Sequence, residues 1–377
     1  ADTKFTDAAG NTNADGSDAN NTSTITVDTV LPTIALSSSA ANLKAGETAT
    51  ITFTISESVS DFVIGDITVS GGTLGSFTGS GTSYTVVFTP TASSTANGVI
   101  SVADTKFTDA AGNTNADGSE SNNTETITVD TVLPTLLSAE TADNNGDGTV
   151  DRLVLTFSEQ VDLTNVDNDN FTLTESAGGN PTIASSGVGN NKYSANDATS
   201  ITFNLAGVTA NNTLLTISPD YNDATGPIID NAGNEMSFSE DVAGSDGAAP
   251  ILLSATYKDT NGDGTVNRID AVYSEDITSS TFESSDWTFP ANPNGLSVGS
   301  GAFSGSTVQI TVTGAPANTT VLGTTTVKYT NQGSSTNSIT DGSNSSATSS
   351  VITLSDETVP ILLSATYKDT NGDGTVN

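Results

Sequence analysis

The chain repeats itself, and the repeat sets the size of its folding unit. Residues Ala1–Ser17 recur letter for letter at Ala103–Ser119, and Pro250–Asn267 recurs as Pro360–Asn377. A looser copy of the second segment begins at Pro134. Self-similarity at a regular period is typical of arrays in which one structural unit is used several times. We therefore expect several small modules, each with its own hydrophobic core, instead of one large domain.

Each predicted module begins at a proline that follows an aspartate by four positions. The pattern occurs at Asp28 and Pro32, Asp130 and Pro134, Asp246 and Pro250, and Asp356 and Pro360. These prolines are about 100 to 120 residues apart, the size of one β-sandwich domain. The predicted division is a fragment of a preceding module at 1–27, whole modules at 28–129, 130–245 and 246–355, and the start of a further module at 356–377. The sequence is thus expected to be a window of a longer protein, with export signals and anchors outside it.

Alternating apolar and polar residues predict β-strands in every module. In the first module Thr33–Ser37 is expected to be strand A and Thr48–Ile55 strand B, which should end at Ser56 and Glu57. Further strands are predicted at Asp66–Ser70, Ser83–Thr89, Gly98–Val102 and Thr126–Val129, and in the first fragment at Thr24–Val27. Apolar residues make up only 34% of a chain crowded with turn-forming residues, and helix is not expected. The predicted fold class is all-β, an elongated array of tandem sandwiches.

Charge and missing residue types exclude several functions. The net charge is −35, from 44 acidic and 9 basic residues, so nucleic acids and anionic membranes would be repelled. We expect no nucleic-acid partner and no membrane insertion. Cysteine and histidine are absent, which excludes disulfides, thiolate or imidazole metal sites and the usual general base. The carboxylates recur once per module instead of lining one cleft, so we expect no enzyme.

Sandwich geometry predicts that three carboxylates meet at each joint between modules. The linker aspartate, the glutamate after strand B and an aspartate of the loop before the last strand should lie at one end of the sandwich. The predicted groups are Asp28 with Glu57 and Asp109, Asp130 with Glu159 and Asp230, and Asp246 with Glu275 and Asp341. Such groups repel unless a cation joins them, and calcium accepts 6 to 8 oxygens at about 2.3 to 2.6 Å. The alternative is that the linker aspartates only cap turns and that the glutamates are solvated.

A second predicted ligand set lies between strands A and B of the later modules. Its oxygen-bearing residues stand at alternate positions, as in the first part of an EF-hand calcium loop: Asp143, Asn145, Asp147, Thr149 and Asp151, then Asp259, Asn261, Asp263, Thr265 and Asn267, with Asp270 at position 12. The first of these loops should face the joint near Asp246. The alternative is that Asn-Gly and Asp-Gly form only the hairpin turn. A third copy begins at Asp369 and is incomplete.

These motifs together resemble a known family. The boundary aspartate and proline, the Ser-Glu pair after strand B and the loop Asp109–Asn113 resemble bacterial immunoglobulin-like repeats of giant adhesins, biofilm-associated proteins and surface-layer proteins. The first module is similar to the biofilm type, and the later modules to a related repeat whose strands A and B flank the metal-like loop. The resemblance covers nearly the whole chain. It implies immunoglobulin-like sandwiches that form calcium-dependent stalks or lattices at the bacterial surface or outside the cell.

Three functions remain open at this point. The first is a non-catalytic stalk or fibre segment of a bacterial surface or secreted adhesin, stiffened by calcium at its joints with neighbouring modules. The second is a self-assembling surface layer or filament, with identical chains as partners. The third is recognition of a glycan or receptor, for which the segment 279–305 with Trp287 and Phe289 is the candidate. Because Trp287 aligns with Ile67 and Phe171, a core position is the favoured interpretation of this tryptophan.

Overall fold

The computed structural model describes most of the chain and places it in two compact units, residues 1–132 and 133–377. The described residues are 3–14, 22–116, 121–162, 171–175, 181–184, 198–208, 217–221, 227–236, 242–278, 281–315, 323–332, 339–342, 344–358, 362, 364–366, 368–372 and 374–375. The predicted module start at Pro360 and parts of the repeated segments, including Ser17 and Asn377, lie outside these ranges.

The first unit contains a sandwich of two sheets, called the first sandwich below. Its strands are β1 (Ile34–Ser38), β2 (Asn42–Leu43), β3 (Ala49–Val59), β4 (Ile67–Ser70), β5 (Gly72–Pro90), β6 (Gly98–Val102) and β7 (Thr124–Val129). One sheet has the order β1-β3-β5 and the other β2-β7-β6-β4. Side chains of both sheets, such as Phe53 and Ile127, are fully buried in one core, which makes the pair a sandwich.

The second unit begins with the second sandwich. Its strands are β8 (Leu136–Ala142), β9 (Arg152–Asp162), β10 (Phe171–Glu175), β11 (Thr182–Ile183), β12 (Ala198–Ala206), β13 (Ile217–Tyr221), β14 (Ile229–Asp230) and β15 (Gly244–Ser245). The larger sheet has the order β11-β12-β9-β8-β15, with β14 beside β9, and the smaller sheet pairs β10 with β13. Phe203 and Tyr221 come from different sheets and pack in the same core.

The third sandwich follows in the same unit. Its strands are β16 (Leu252–Lys258), β17 (Arg268–Tyr273), β18 (Trp287–Thr288), β19 (Ser297–Ser304), β20 (Thr307–Thr313), β21 (Thr326–Tyr329), β22 (Ile352–Thr353) and β23 (Ser355–Asp356). The sheets have the orders β19-β20-β17-β16-β23 and β18-β21-β22. Their shared core includes Ile310 from the first sheet and Val327 from the second.

The three sandwiches share one plan, and the predicted all-β fold class is confirmed. In each, a strand near the start pairs in parallel with the last strand, as β2 with β7, β8 with β15 and β16 with β23. Three separate hydrophobic clusters lie within residues 34–129, 136–248 and 252–354. In the described part of the chain, helix occurs only as three-residue 3-10 turns such as Ile64–Asp66. The module limits given above stay a prediction.

Strand B is longer than predicted in the first sandwich. It was expected to end at Ser56 and Glu57, but β3 continues to Val59, which is buried and pairs with Gly81. The register shifts between Thr54 and Val59, so the strand passes Glu57 through an irregular segment and then resumes. Burial of the apolar Val59 favours this continuation over an early stop.

The predicted strand Thr24–Val27 is absent, although these residues are described. They have no sheet assignment, and Ile25 and Val27 are 80% and 75% exposed. The similar segment β7 is a strand because β6 and β2 pair with it and a core buries its apolar face. An alternating pattern predicts a strand only where a sheet supplies backbone partners and a core.

Candidate metal centres

The linker aspartates cap turns with one carboxylate oxygen. Asp28 Oδ1 accepts a hydrogen bond from the Val30 N–H at 3.1 Å, and Asp246 Oδ1 accepts one from the Ala248 N–H at 3.0 Å. This is the turn-capping role given above as the alternative to a metal site. It occupies only one oxygen of each carboxylate, so capping and metal binding are compatible.

The serine of each Ser-Glu pair fastens the end of strand B to the start of strand A. Ser56 Oγ accepts the Thr33 N–H, and Ser274 Oγ accepts the Ile251 N–H, both at 2.9 Å. Thr33 and Ile251 directly follow the boundary prolines. The glutamate after each serine is thereby held close to the linker.

The Asp-x-x-Gly-Asn loop presents its aspartate through local hydrogen bonds. Asp109 Oδ1 accepts the N–H groups of Ala111 and Asn113 at 2.9 and 2.8 Å, and Asn113 Nδ2 donates to Asp109 Oδ2 at 2.8 Å. The loop closes at Gly112, whose φ of +89° suits glycine. The Asn113 side chain, followed by main-chain donors, lowers the pKa of Asp109 although partial burial opposes it, so this carboxyl stays ionised.

The first sandwich brings Asp28, Glu57 and Asp109 together. One carboxylate oxygen of each lies within 4.8 Å of the other two. Glu57 Oε1 is buried and has no hydrogen-bond partner, and loss of hydration, followed by the charges of Asp109 and Asp28, raises the pKa of Glu57. No described lysine or arginine forms a salt bridge with this group. Three acids thus meet without a neutralising side chain in the described part of the chain.

The joint between the second and third sandwiches brings Asp246, Glu275 and Asp341 together with the same spacing limit of 4.8 Å. Asp246 Oδ2 is buried and receives no hydrogen bond. Burial, and then the charges of Asp341 and Glu140, raises the pKa of Asp246 to about 6. The ionised form of this carboxyl is therefore costly unless a cation lies beside it.

The remaining predicted group, Asp130, Glu159 and Asp230, joins residues of both units and stays a prediction. Within its own unit, Asp230 is buried at the end of β14 and accepts hydrogen bonds from the main chain and side chain of Asn234, each at 2.8 Å. Asp130 Oδ1 caps its turn through the Val132 N–H at 3.1 Å. Asp130 and Asp230 therefore make the same local hydrogen bonds as their counterparts in the other groups.

The loops between strands A and B use their side-chain oxygens to hold their own backbone. Asp143 accepts the N–H groups of Gly146 and Gly148, both at 2.8 Å, and Asp259 accepts those of Gly262 and Gly264 at 2.8 and 2.7 Å. Further bonds of this kind involve Asn145, Asp147, Asp151, Asn261, Asp263 and Asn267. Among the described residues, the loop carboxylates are not gathered into a group like those at the joints. The hairpin-turn interpretation accounts for these contacts, and metal binding by the loops stays a prediction.

Asp270, predicted as the ligand at position 12, has two cationic partners, and its ligand role stays a prediction. Lys258 Nζ lies 2.9 Å from its Oδ2, and Arg268 Nε lies 2.7 Å from its Oδ1. Lys258 also contacts Glu357 at 3.0 Å. Two basic side chains already match the charge of Asp270, which is the environment of an ion pair and differs from that of a calcium ligand.

The two joint groups within single units fit a calcium ion. Ligands of one calcium at about 2.3 to 2.6 Å lie no more than about 5 Å apart, and all three acids of each group meet this limit. Carboxylate oxygens are ligands that calcium prefers. The buried oxygens of Glu57 and Asp246 that receive no hydrogen bond would gain a partner from the ion.

Sequence reasoning missed the asparagine that ends each loop. Asn113 Nδ2 donates to the main-chain oxygen of Asp28, and Asn344 Nδ2 donates to that of Asp246, both at 3.2 Å. The loop motif contained these residues, but only the structure shows that their amides reach the linker. Glu140, whose charge contributes to the raised pKa of Asp246, was also missed.

The candidate glycan platform is a core residue. Trp287 is 3% exposed and contacts Phe282 in a stacked arrangement at 6.3 Å between ring centroids. Tyr329 packs on it at 5.4 Å. The indole face is therefore covered by protein side chains, as its alignment with Phe171 suggested. Ser279, at the start of the candidate segment, lies outside the described residues.

A family model described as Bacterial Ig-like domain matches residues 28–126. The first sandwich is similar to bacterial Ig-like domains. The predicted resemblance to bacterial Ig-like repeats is confirmed in this segment. No match is found among curated protein sequences. Among the described residues, no helix has the length and apolar character needed to cross a bilayer.

Solved structures similar to the chain include bacterial surface proteins. One is FdeC, an Escherichia coli adhesin, with 12% identity and a TM-score of 0.30 over 86% of this chain and 96% of that chain. Another is the Yersinia pseudotuberculosis adhesin InvE, with 16% identity and a TM-score of 0.24 over 73% of this chain and 72% of that chain. The S-layer protein rSbsC gives 10% identity and a TM-score of 0.18 over 90% and 55%. Similarity at this level carries no functional conclusion.

Proposed function

We propose that the chain is a calcium-stiffened, non-catalytic stalk segment of a bacterial cell-surface or secreted adhesin. One observation carries the proposal: in the two groups that lie within single units, carboxylates from three separate segments meet where a linker enters a sandwich. A buried oxygen of Glu57 in one group and of Asp246 in the other receives no hydrogen bond. A cation would neutralise this repulsion, and oxygen ligands at this spacing favour calcium over softer metals. Localisation outside the cell, where calcium is abundant, is part of the same proposal.

The mechanical effect follows from the origin of the ligands. Asp246 belongs to the linker, Glu275 to the end of strand B and Asp341 to a loop of the third sandwich. An ion bound to all three would tie the linker to the sandwich at two points. Without the ion, the charges repel and the linker is free to move away. Calcium is therefore expected to restrict bending at each such joint.

Small-angle X-ray scattering of the whole chain tests the proposal. Addition of calcium is expected to increase the maximum dimension and narrow the range of conformations, and a chelator is expected to reverse both changes. Calorimetry on the same sample should show calcium binding and a higher melting temperature, because a ligand that binds only the folded state stabilises it. A scattering profile and melting temperature that do not respond to calcium would refute the proposal.

Magnesium provides the control for ordinary charge screening. It has the same charge, but it prefers octahedral geometry at about 2.0 to 2.1 Å and gives up water reluctantly. We expect millimolar magnesium to reproduce little of the calcium effect. Equal responses to both ions would indicate screening of the −35 charge and no specific joint site.

A further inference from the structure

An outward-facing leucine of the third sandwich sits against a glycine of the second. Leu253 is 42% exposed and lies where the register of β16 with β17 shifts, between Leu252 and Ser254. A Cβ placed on Gly148 would lie 2.7 Å from Leu253 Cδ2 and 3.1 Å from Ser274 Cβ. Gly148 is buried although it belongs to a surface loop. The loop between β8 and β9 therefore touches the third sandwich in β16 and at the residue that follows β17.

The contact at Gly148 involves a residue that is adjacent in sequence to one of the joint carboxylates. Ser274, which Gly148 approaches, directly precedes Glu275 of the cation group. Ser274 Oγ also accepts the Ile251 N–H, two residues before Leu253. A displacement of Leu253 or Ser274 by the loop would therefore move Glu275 relative to Asp246.

The linker itself is held against the second sandwich beside this contact. Ser245 Oγ donates to the Ala139 oxygen at 3.0 Å, and β15 pairs in parallel with β8. A Cβ at Gly247 would overlap Glu140 and the Thr141 oxygen, so the linker backbone lies directly on that strand. One end of the joint is fixed by the linker, and the contact at Gly148 supplies a second point of attachment.

We propose that the loop Asp143–Asp151 is a docking element, in which Gly148 receives Leu253 and Ser274 and thereby orients the third sandwich and positions Glu275. The proposed orientation of the third sandwich depends only on this contact. The proposed positioning of Glu275 rests on the proposed function. Both contact residues recur in the next copies of their segments: Gly264 corresponds to Gly148, and Leu363 corresponds to Leu253. The same docking is then expected wherever this loop is followed by this strand.

Two glycines of the same loop provide a matched pair of substitutions. Gly146 and Gly148 both have positive φ, +70° and +87°, so alanine strains the backbone at either position. A Cβ at Gly146 meets nothing within 4 Å, whereas one at Gly148 meets the third sandwich. Both variants carry the backbone strain, but only G148A disturbs the contact with the third sandwich. A difference between the two variants therefore reports on that contact. Leu253→Ala removes the other partner and leaves the loop unchanged.

Spin labels test the orientation without calcium. The chain has no cysteine, so Thr202→Cys in β12 and Thr313→Cys in β20, both exposed, give one labelled pair in the full chain. In chelator, double electron–electron resonance is expected to give the same distance distribution for the otherwise unmodified chain and for G146A. G148A and L253A should broaden or shift it. Equal distributions in all four proteins would overturn the docking proposal.

Calcium titration tests the positioning of Glu275. Glu57→Gln and Glu159→Gln form the background, and the binding that Asp246→Asn removes from it is assigned to the Asp246 group. Loss of an outer support typically weakens metal binding by about 10- to 100-fold, and we expect about tenfold for G148A and L253A and no change for G146A. Equal affinities in all variants would overturn the positioning role. If no variant binds calcium, the proposed function fails, whereas the distance measurement still decides the docking.

Discussion

Asn113 donates a side-chain hydrogen bond to the main-chain oxygen of Asp28, 85 residues earlier, at 3.2 Å. Its amide also donates to Asp109 at 2.8 Å, so one side chain joins the loop to the linker beside the carboxylates of both. Asn344 makes the same pair of contacts with Asp246 and Asp341, at 3.2 and 3.1 Å. The asparagine thus orients two of the three acids before any ion arrives, and this lowers the entropic cost of binding.

Asn113→Ala is expected to weaken calcium binding at the first group by about tenfold, because the support of two ligands is lost. It should also raise the pKa of Asp109, since the side chain of Asn113 is the largest contribution to its lowered value. Calorimetry measures the affinity. Asn11→Ala is the control, because Asn11 makes the same bond to Asp7 at 2.9 Å in an exposed copy of the loop. A similar loss in both variants would contradict a specific role for Asn113.

Glu57→Gln is expected to abolish calcium binding at the first group and to remove its share of the calcium-induced rise in melting temperature. The substitution keeps the shape of the side chain and removes the charge that the ion would neutralise. In chelator the variant should be no less stable than the unmodified chain, because a partly desolvated charge has been removed. Glu125→Gln in β7 makes the same chemical change away from the group and should bind calcium normally. Unchanged stoichiometry in E57Q would exclude this metal centre.

Asp246→Asn should have opposite effects with and without calcium. In chelator at pH 7, removal of a buried charge is expected to stabilise the second unit by about 1 to 2 kcal/mol, after allowance for partial exposure. With calcium, loss of a ligand should destabilise it. Asparagine can still accept the Ala248 N–H, so the turn is kept. Denaturant unfolding in the two buffers measures both signs, and the same sign in both would contradict a metal role for Asp246.

The pH dependence of the chelated protein follows from the raised pKa. The folded state keeps the Asp246 proton up to about pH 6, whereas the unfolded state releases it near 3.8. This group therefore favours folding fully below about pH 4, and its contribution is lost as the pH rises to 6. The stability difference between D246N and the unmodified chain should be smallest near pH 4 and level off above pH 6. Urea unfolding at several pH values checks this, and a difference that does not change between pH 4 and 6 would contradict the raised pKa.

Asp270→Asn should lower stability without changing the number of calcium ions bound. Lys258 and Arg268 would lose the carboxylate they share, at a cost of about 1 to 3 kcal/mol for a pair of this partial exposure. Calorimetry measures the stoichiometry and thermal unfolding the stability. Loss of one bound ion in this variant would instead support the predicted ligand role at position 12.

The order of the motifs could be predicted because each depends on few residues. Alternation identified Gly98–Val102 at its observed bounds. The sequence could not show that β3 continues to Val59, because this depends on a pairing with Gly81 and on burial in a core built by other strands. For the same reason it overestimated Thr24–Val27, which alternates but has no sheet beside it.

The candidate sites were predicted unevenly for a physical reason. The two joint groups that lie within single units followed from sandwich topology, which brings ends of distant strands together. The role of Asp270 did not follow, because its partners Lys258 and Arg268 act across paired strands, and spacing along the chain does not show such contacts. The contact of Gly148 with Leu253 was equally hidden, since it links different sandwiches.

Two identical loops show where the sequence stops and the tertiary structure takes over. Asp7–Asn11 and Asp109–Asn113 have the same letters and form the same turn, with matching hydrogen bonds to the aspartate and a lowered pKa in both. Short-range hydrogen bonds within five residues suffice for that. Asp7 is exposed, whereas Asp109 is 7% exposed and meets Glu57 and Asp28. Only the packing of two sheets places these distant acids side by side, and that proximity is what a cation can recognise.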